Sequence, residues 1–241
     1  MSFSAVERVA AARAAPPVLI CCEHASNALP PHLSWSRADL RLCQDHWAFD
    51  PGAADVTRRL AELLGAPAVL AGFSRLVVDP NRPLDSETLF RTAADGLAID
   101  LNRDLTSVER EERIELCYRP YHAAVDSMLV EHPGVDLLSI HTYTPCYEGQ
   151  PRAVEIGVLF DLHEAWAEHW FAQLSELPYD VRRNEPWSGK AGLMYAPQHH
   201  AVRHRVRAVE LEIRNDLATD PVHRERIVAK IVEAARTSPR G

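Results

Sequence analysis

His141 closes the run Leu137-Leu138-Ser139-Ile140-His141-Thr142-Tyr143-Thr144, where a short apolar stretch gives way abruptly to polar groups. Such a run reads as a buried strand, and ligands of open α/β sheets bind at the carboxyl ends of strands. Three further segments share the layout. Val18-Leu19-Ile20-Cys21-Cys22 leads into Glu23-His24-Ala25-Ser26-Asn27, Leu76-Val77-Val78 into Asp79-Pro80-Asn81-Arg82, and Ala208-Val209-Glu210-Leu211 into Glu212-Ile213-Arg214. Four apolar runs thus deliver two His, an Asn-Arg pair and a Glu to what would be one rim. That is the part list of a metal-assisted hydrolase acting on an anionic amide.

Each residue type has its own chemistry. Two neutral imidazoles, His24 and His141, can hold Zn²⁺, and a catalytic zinc takes three protein ligands plus a water. The third ligand is open: Asn27, three residues after His24, offers an amide oxygen, while Asp50 and Glu23 offer carboxylates. A carboxylate at the end of an apolar strand is costly to bury unless paired or functional. Glu212 is therefore either a general base for a metal-bound water or the partner of Arg214 or Arg82. Glu210 alternates to the same face. Arg75, Arg82 and Arg152 are candidates for clamping a substrate carboxylate through two parallel hydrogen bonds, with Asn81 beside Arg82. Of the adjacent His199 and His200, at most one would face a site in extended chain.

The elements that must position these groups alternate between strand and helix, which favours an α/β fold with a mixed, mostly parallel sheet flanked by helices. Strands are expected at 18–22, 67–72, 75–79, 136–141, 153–160 and 207–213, and helices at 53–65, 162–176 and 221–236. A long helical pattern over 106–132 opens on Thr106-Ser107 as caps and should break near Arg119, because Pro120 interrupts it. Stretches 80–104, 142–152 and 182–200 lack clear periodicity, and long irregular loops in compact domains are often functional.

Composition sets the outer bounds. The 241 residues are 46% hydrophobic, enough for one α/β domain with its core over about 16–236. No linker-like segment divides the chain. A formal net charge of −8 without a long basic run argues against nucleic acid or a membrane surface as the main partner. No apolar stretch approaches the roughly 20 residues needed to span a bilayer. The five Cys are odd in number and form no CxxC pair, which argues against both a disulfide framework and a Cys-based zinc site. A cytoplasmic location is the default expectation; oligomeric state is left open.

Taken together, the segments resemble the N-formylglutamate amidohydrolase family. The likeness runs from about Val18 to Leu217 and rests on the joint order of several motifs. They are Cys22-Glu23-His24-Ala25-Ser26-Asn27, Ala48-Phe49-Asp50-Pro51-Gly52-Ala53, Ser74-Arg75 through Asn81-Arg82-Pro83, Tyr118-Arg119-Pro120-Tyr121-His122, Ser139-Ile140-His141-Thr142-Tyr143, Asn184-Glu185-Pro186-Trp187, His200, and Glu212 through Leu217. That family in turn looks like a branch of the zinc carboxypeptidase-like (phosphorylase/hydrolase-like) fold. There a His-x-x-Glu pair follows the first strand, where this chain has His24-x-x-Asn27. The resemblance implies a divalent metal, Zn²⁺ foremost, held by His24 and His141, with Glu212 as the base. It also implies Asn81 and Arg82 on the substrate carboxylate; Arg75 and Arg152, from the residue reading, and His200 are further substrate-binding candidates. It implies hydrolysis of N-formyl-L-glutamate, or of another small anionic N-acyl amino acid. Two rival readings are a non-catalytic carboxylate-binding protein, which Asn27 favours, and an amidase or peptidase acting on a different peptide-like substrate.

Overall fold

In the computed structural model, which describes residues 3–147 and 149–239, seven strands form one sheet. They are β1 (Val6–Val9), β2 (Val18–Cys22), β3 (Ala68–Ala71), β4 (Asp136–Tyr143), β5 (Ile156–Leu159), β6 (Val181–Arg183) and β7 (Ala208–Arg214). Their order across the sheet is β1-β3-β2-β4-β7-β5-β6. The four central strands β3, β2, β4 and β7 run parallel. β1 lies antiparallel on one edge, and β5 turns antiparallel against β7 and pairs in parallel with β6. The mixed, mostly parallel sheet follows from the sequence pattern: β2, β3 and β5 are buried at every position, as expected of strands covered on both faces.

Helices supply those covers. α1 (Ala53–Leu64) buries Val56, Leu60, Ala61 and Leu64, spaced on one helical face, and ends at Gly65, whose φ of 58° closes the last turn. α1, α4 (Glu164–Leu174) and α7 (Pro221–Thr237) enclose one apolar core with the sheet, with Trp170, Leu174, Ile227 and Ile231 at its centre. On the opposite face, α3 (Arg119–Glu131) and α5 (Tyr195–His204) pack over Leu19, Val69 and Leu137. Where a break in the 106–132 helix is expected, the chain stays helical and changes its winding instead. α2 (Ser107–Arg113) starts on a Thr106–Glu109 capping box, and a π-helical turn over Ile114–Tyr118 leads into α3, with Pro120 in its first turn where a missing N–H costs nothing.

The expected strand at 75–79 does not form. Its amides are taken by loop carbonyls: Arg75 donates to Ala48, Val77 to Ser74 and Asp79 to Leu89. Its apolar side chains divide between two cores, Val77 and Val78 joining the α3 face and Leu76 a smaller cluster with Leu42, Trp47 and Ile99. Periodicity registers burial here, and burial is met by a turn. β1, β6, α5 and the short α6 (Asn215–Thr219) were not expected from the pattern. No helix among the described residues is long and apolar enough to cross a membrane.

Candidate active site

The ends of β2, β4 and β7 meet over a cavity of about 240 Å³ lined by His24, Asp50, Arg75, Asn81, Arg82, Arg91, His141, Arg152 and Glu212, with an aromatic wall of Trp47, Tyr143, Tyr147 and Trp187. Sheet register makes this convergence. Glu212 pairs with His141 across the parallel β7–β4 ladder and with Gly157 across the antiparallel β7–β5 ladder. Asp50 arrives from a different route, just before α1, where its backbone N–H donates to the His24 carbonyl at 2.8 Å. Pro51 and Gly52 then turn the chain into the helix. Gly52 has φ of 88° and lies so close to Ala218 that a Cβ would sit 2.8 Å from that residue's own, so only glycine fits.

His24, Asp50 and His141 form a buried cluster whose ligand atoms lie within 4.8 Å of one another. Hydrogen bonds decide which nitrogens face inward. His24 Nε2 is 2.8 Å from Asp79 Oδ1. His141 Nε2 is 3.0 Å from Glu23 Oε2. A carboxylate can only accept, so both Nε2 atoms carry hydrogens. The two Nδ1 atoms then turn toward one oxygen, Asp50 Oδ2, at 3.5 Å from His24 and 2.9 Å from His141. His24 Nδ1 has no hydrogen-bond partner among the described residues although His24 is only 2% exposed. An imidazole whose outer N–H is fixed by a carboxylate is the arrangement found around metal-bound histidines. The donor set of two imidazoles and one carboxylate fits a divalent cation of the zinc kind.

The surroundings reinforce this. Arg75 Nη2 holds Asp79 at 2.9 Å and Arg75 Nη1 lies 3.5 Å from Asp50. Glu23 also accepts from Ser139 Oγ at 2.6 Å and Tyr121 Oη at 2.8 Å. Burial alone would push these carboxyls up. The His141 contacts and the two hydroxyls instead hold Glu23 at about 2, while Arg75 and His24 hold Asp79 well below its usual range. Asp50 is likewise lowered by His24 and His141 against its burial. His141 is held well above an ordinary imidazole by Glu210, Asp50 and Glu23, which outweigh burial. Positive charge at this point is thus strongly favoured.

Glu212 differs from the other carboxylates. It is 6% exposed, and its Oε2 has no hydrogen-bond partner among the described residues. Burial raises it to about 8, with Glu210 and Asp50 adding to the rise and His141 and Arg75 opposing it. Arg214 is engaged with Asp216 and Glu155, and Arg82 with the Asn81 carbonyl and Thr88. Neither arginine pairs with Glu212. Raised to about 8, the carboxyl holds its proton near neutral pH, and a cation in the neighbouring cluster would favour the carboxylate form, which can accept one.

Two residues expected at the site lie elsewhere. Asn27 does not line the cavity: its Nδ2 donates to the Cys43 carbonyl at 2.5 Å, which commits the amide to a loop contact. His200 is also outside it, on helical rather than extended chain, buried between α3 and α5 and bonded to Asp126 and His122. Asn81 does line the cavity, but its Nδ2 donates to Glu210 Oε2 at 3.3 Å and its Oδ1 accepts from the Ala196 amide at 2.8 Å. Asn81 and Arg75 thus hold carboxylates of the site, and Arg82, Arg91 and Arg152 line the cavity beside them. Sequence reading passed over Asp79 as the residue that orients His24, although it stands beside Pro80-Asn81-Arg82. The aromatic wall carried no signal in the sequence either, since its members come from three distant segments, around Trp47, Tyr143–Tyr147 and Trp187. Arg152 stacks over Tyr143, Tyr147 and Trp187 with its guanidinium 4.8–5.4 Å from the three rings.

The sequence profile described as N-formylglutamate amidohydrolase matches residues 16–219. The chain belongs to that family. A crystal structure of a gene product from Agrobacterium tumefaciens is 33% identical and superposes with a TM-score of 0.87 over 97% of this chain and 94% of that one. An N-formylglutamate amidohydrolase from Ralstonia eutropha shares the fold at 20% identity, with a TM-score of 0.76 over 97% of this chain and 98% of its own. A curated N-formylglutamate deformylase from Pseudomonas aeruginosa is 32% identical over 121 residues, 45% of this chain and 44% of that protein. That match spans less than half of the deformylase. The family's matched region includes every residue of the His24–Asp50–His141 cluster, and Glu212.

Proposed function

We propose that this protein hydrolyses the amide bond of a small N-acyl amino acid, N-formyl-L-glutamate first among them, releasing formate and L-glutamate. The observation that carries this reading is the pairing of two inward-facing Nδ1 atoms and Asp50 with an unpartnered Glu212 carboxyl. His24, His141 and Asp50 would hold the divalent ion, with Zn²⁺ the best match to the donor set. Once bound, that ion would supply a Lewis acid for the formyl carbonyl and a lowered pKa for a water.

The remaining work falls to side chains. Glu212 takes a proton from the attacking water as the C–O bond forms, and delivers it to the nitrogen of the leaving glutamate as the C–N bond then breaks. Asp79, steadied by Arg75, and Glu23, steadied by Ser139 and Tyr121, keep the two imidazoles oriented. Arg82 and Arg152, which line the cavity from separate loops, suit the two carboxylates of an N-acyl glutamate. A cavity of about 240 Å³ falls below the roughly 300–1,000 Å³ of drug-sized ligand pockets, which favours a single amino acid over a peptide. A pure carboxylate-binding protein would have no use for the buried Glu212.

The test is turnover of N-formyl amino acids by zinc-loaded protein, read as formate release. Hydrolysis of N-formyl-L-glutamate well above N-formyl-leucine is the expected result. Tight binding of N-formyl-L-glutamate with no formate released by zinc-, cobalt- or manganese-loaded protein would establish the binding reading instead.

A further inference from the structure

A second His-Asp-His cluster lies outside the cavity, where α3 crosses α5. His200 and His204 stand one turn apart on α5, and so project from the same face. Asp126 of α3 faces both. Asp126 Oδ1 is 2.8 Å from His200 Nδ1 and 2.7 Å from His204 Nε2. The three ligand atoms lie within 4.8 Å of one another.

Hydrogen bonding behind the cluster fixes the protonation of His200. The Pro80 carbonyl, an obligate acceptor, is 3.1 Å from His122 Nε2, so that nitrogen carries a hydrogen. His122 Nδ1 is 2.8 Å from His200 Nε2. With His122 neutral it accepts, and His200 must donate from Nε2. The contacts to Pro80, between the two rings and to Asp126 call for three ring hydrogens, where two neutral imidazoles hold two. His200 then presents an Nδ1 lone pair to a carboxylate oxygen, lone pair against lone pair. The contact is tolerable only if a positive species sits between them, either a proton on His200 or a metal ion.

We infer that the site takes a divalent transition metal, bound by His200 Nδ1, His204 Nε2 and Asp126 Oδ1. The His200–His122–Pro80 chain supplies the outer hydrogen bond that orients a metal-bound imidazole. A tetrahedral ion with bonds of about 2.0–2.1 Å sets its ligands roughly 3.3 Å apart, so the cluster must widen by about half an ångström. His200 is 1% exposed and fixed, but His204 and Asp126 are 18% and 23% exposed and can turn by that amount. Their exposure also opens a fourth position to water. Arg203 approaches Asp126 at 3.3 Å, but through the other oxygen, Oδ2. An ion here clamps α3 to α5 directly behind the loop that carries Asp79 and Asn81. The inference does not depend on the reading of the cavity, since neither cluster shares a residue with the other.

The experiment is zinc titration of chelator-stripped full-length protein by calorimetry, with metal content read on the same samples. Wild type should bind two equivalents. His204→Gln and Asp126→Asn should each bind one, and His24→Ala should keep one. The zinc-dependent rise in Tm should survive in His24→Ala and disappear when His204→Gln is added. Circular dichroism shows whether each variant folds; if His204→Gln does not, the near-isosteric Asp126→Asn decides. A single equivalent in wild type that His24→Ala abolishes and His204→Gln leaves intact overturns the inference, and a proton then fills the gap. A single equivalent lost only in His204→Gln upholds it and removes the metal from the cavity.

Discussion

Glu212 and Arg214 stand two apart on one strand, and an ion pair of Glu212 with Arg214 or Arg82 is the structural alternative to catalysis. Arg214 has other partners, Asp216 and Glu155, and Glu212 keeps an orphan oxygen. The two roles predict opposite results for Glu212→Gln. A base lost to the isosteric amide should lower turnover by about 10²–10⁴-fold, with substrate binding retained. Stability should not fall, because no partner is lost. The sign follows from the raised carboxyl. A group whose folded pKa lies above its unfolded one stabilises the fold below the unfolded value, and that contribution is lost as pH rises through about 8. Metal-free Glu212→Gln should therefore lose less stability than metal-free wild type between pH 5 and pH 9, in urea titrations at each pH. A Gln variant with full turnover and a lower Tm would return Glu212 to a structural role. At the mouth, Arg82→Lys and Arg152→Lys keep the charge but lose the planar fork, and in Arg152 also the stacking on three rings. Each should lower kcat/KM for N-formyl-L-glutamate by ~10-fold or more, mainly through KM, as expected for a lost charge-assisted bond of roughly 1.5–3 kcal/mol. Unchanged steady-state kinetics in either variant would remove that arginine from the substrate.

At the scale of elements, apolar runs marked burial reliably and strand identity less so. The runs ending in His24, His141 and Glu212 became neighbouring parallel strands, because a fully apolar run of four to eight residues suits a strand covered on both faces. The run ending in Asp79 became a buried turn instead. Its three apolar residues serve two cores, a division that no single-strand periodicity encodes. Asn27 and His200 were drawn to the site by motif likeness, and the structure assigns their polar atoms to a loop carbonyl and an interhelical cluster. Asp50 could be weighed only as one of several carboxylates, since its place depends on the turn through Pro51-Gly52 and on a long-range contact with His24. Gly157 carried no signal in the sequence, yet it sets the spacing of β5. It pairs with Glu212, and a Cβ there would lie 2.1 Å from the Glu185 carbonyl oxygen, which is backbone and cannot rotate away. Gly157→Ala should therefore cost about 1–3 kcal/mol, the range for overpacking, measured by urea unfolding. A loss below 0.5 kcal/mol would mean that the segment bearing Glu185 shifts freely.

Across the whole molecule, the cavity cluster joins chain segments that are far apart in sequence: the end of β2, the approach to α1 and the end of β4. An ion bound to His24, Asp50 and His141 would stabilise the folded state over the unfolded by mass action. The thiols give a direct readout. Cys21, Cys22 and Cys117 are buried, whereas Cys146 is exposed. Burial pushes Cys22 and Cys117 to about 12 and Cys21 well above its usual value, so none forms a reactive thiolate in the folded state. Cys22 directly precedes Glu23 and His24, so its exposure requires opening of the same strand end that orients the metal ligands. Cys146 should therefore label at once with a thiol reagent whether or not zinc is present, while Cys22 waits on opening. Zinc should slow Cys22 labelling by the factor that it lowers the open population, about 100-fold at 100 times its Kd. His24→Ala should remove the share of that protection due to the cavity ion, and adding His204→Gln should remove the rest, while Cys146 stays unchanged. Mass spectrometry of partly labelled protein assigns each thiol. Equal Cys22 rates with and without zinc, in wild type that binds the ion, would show that the cluster does not tie these segments together.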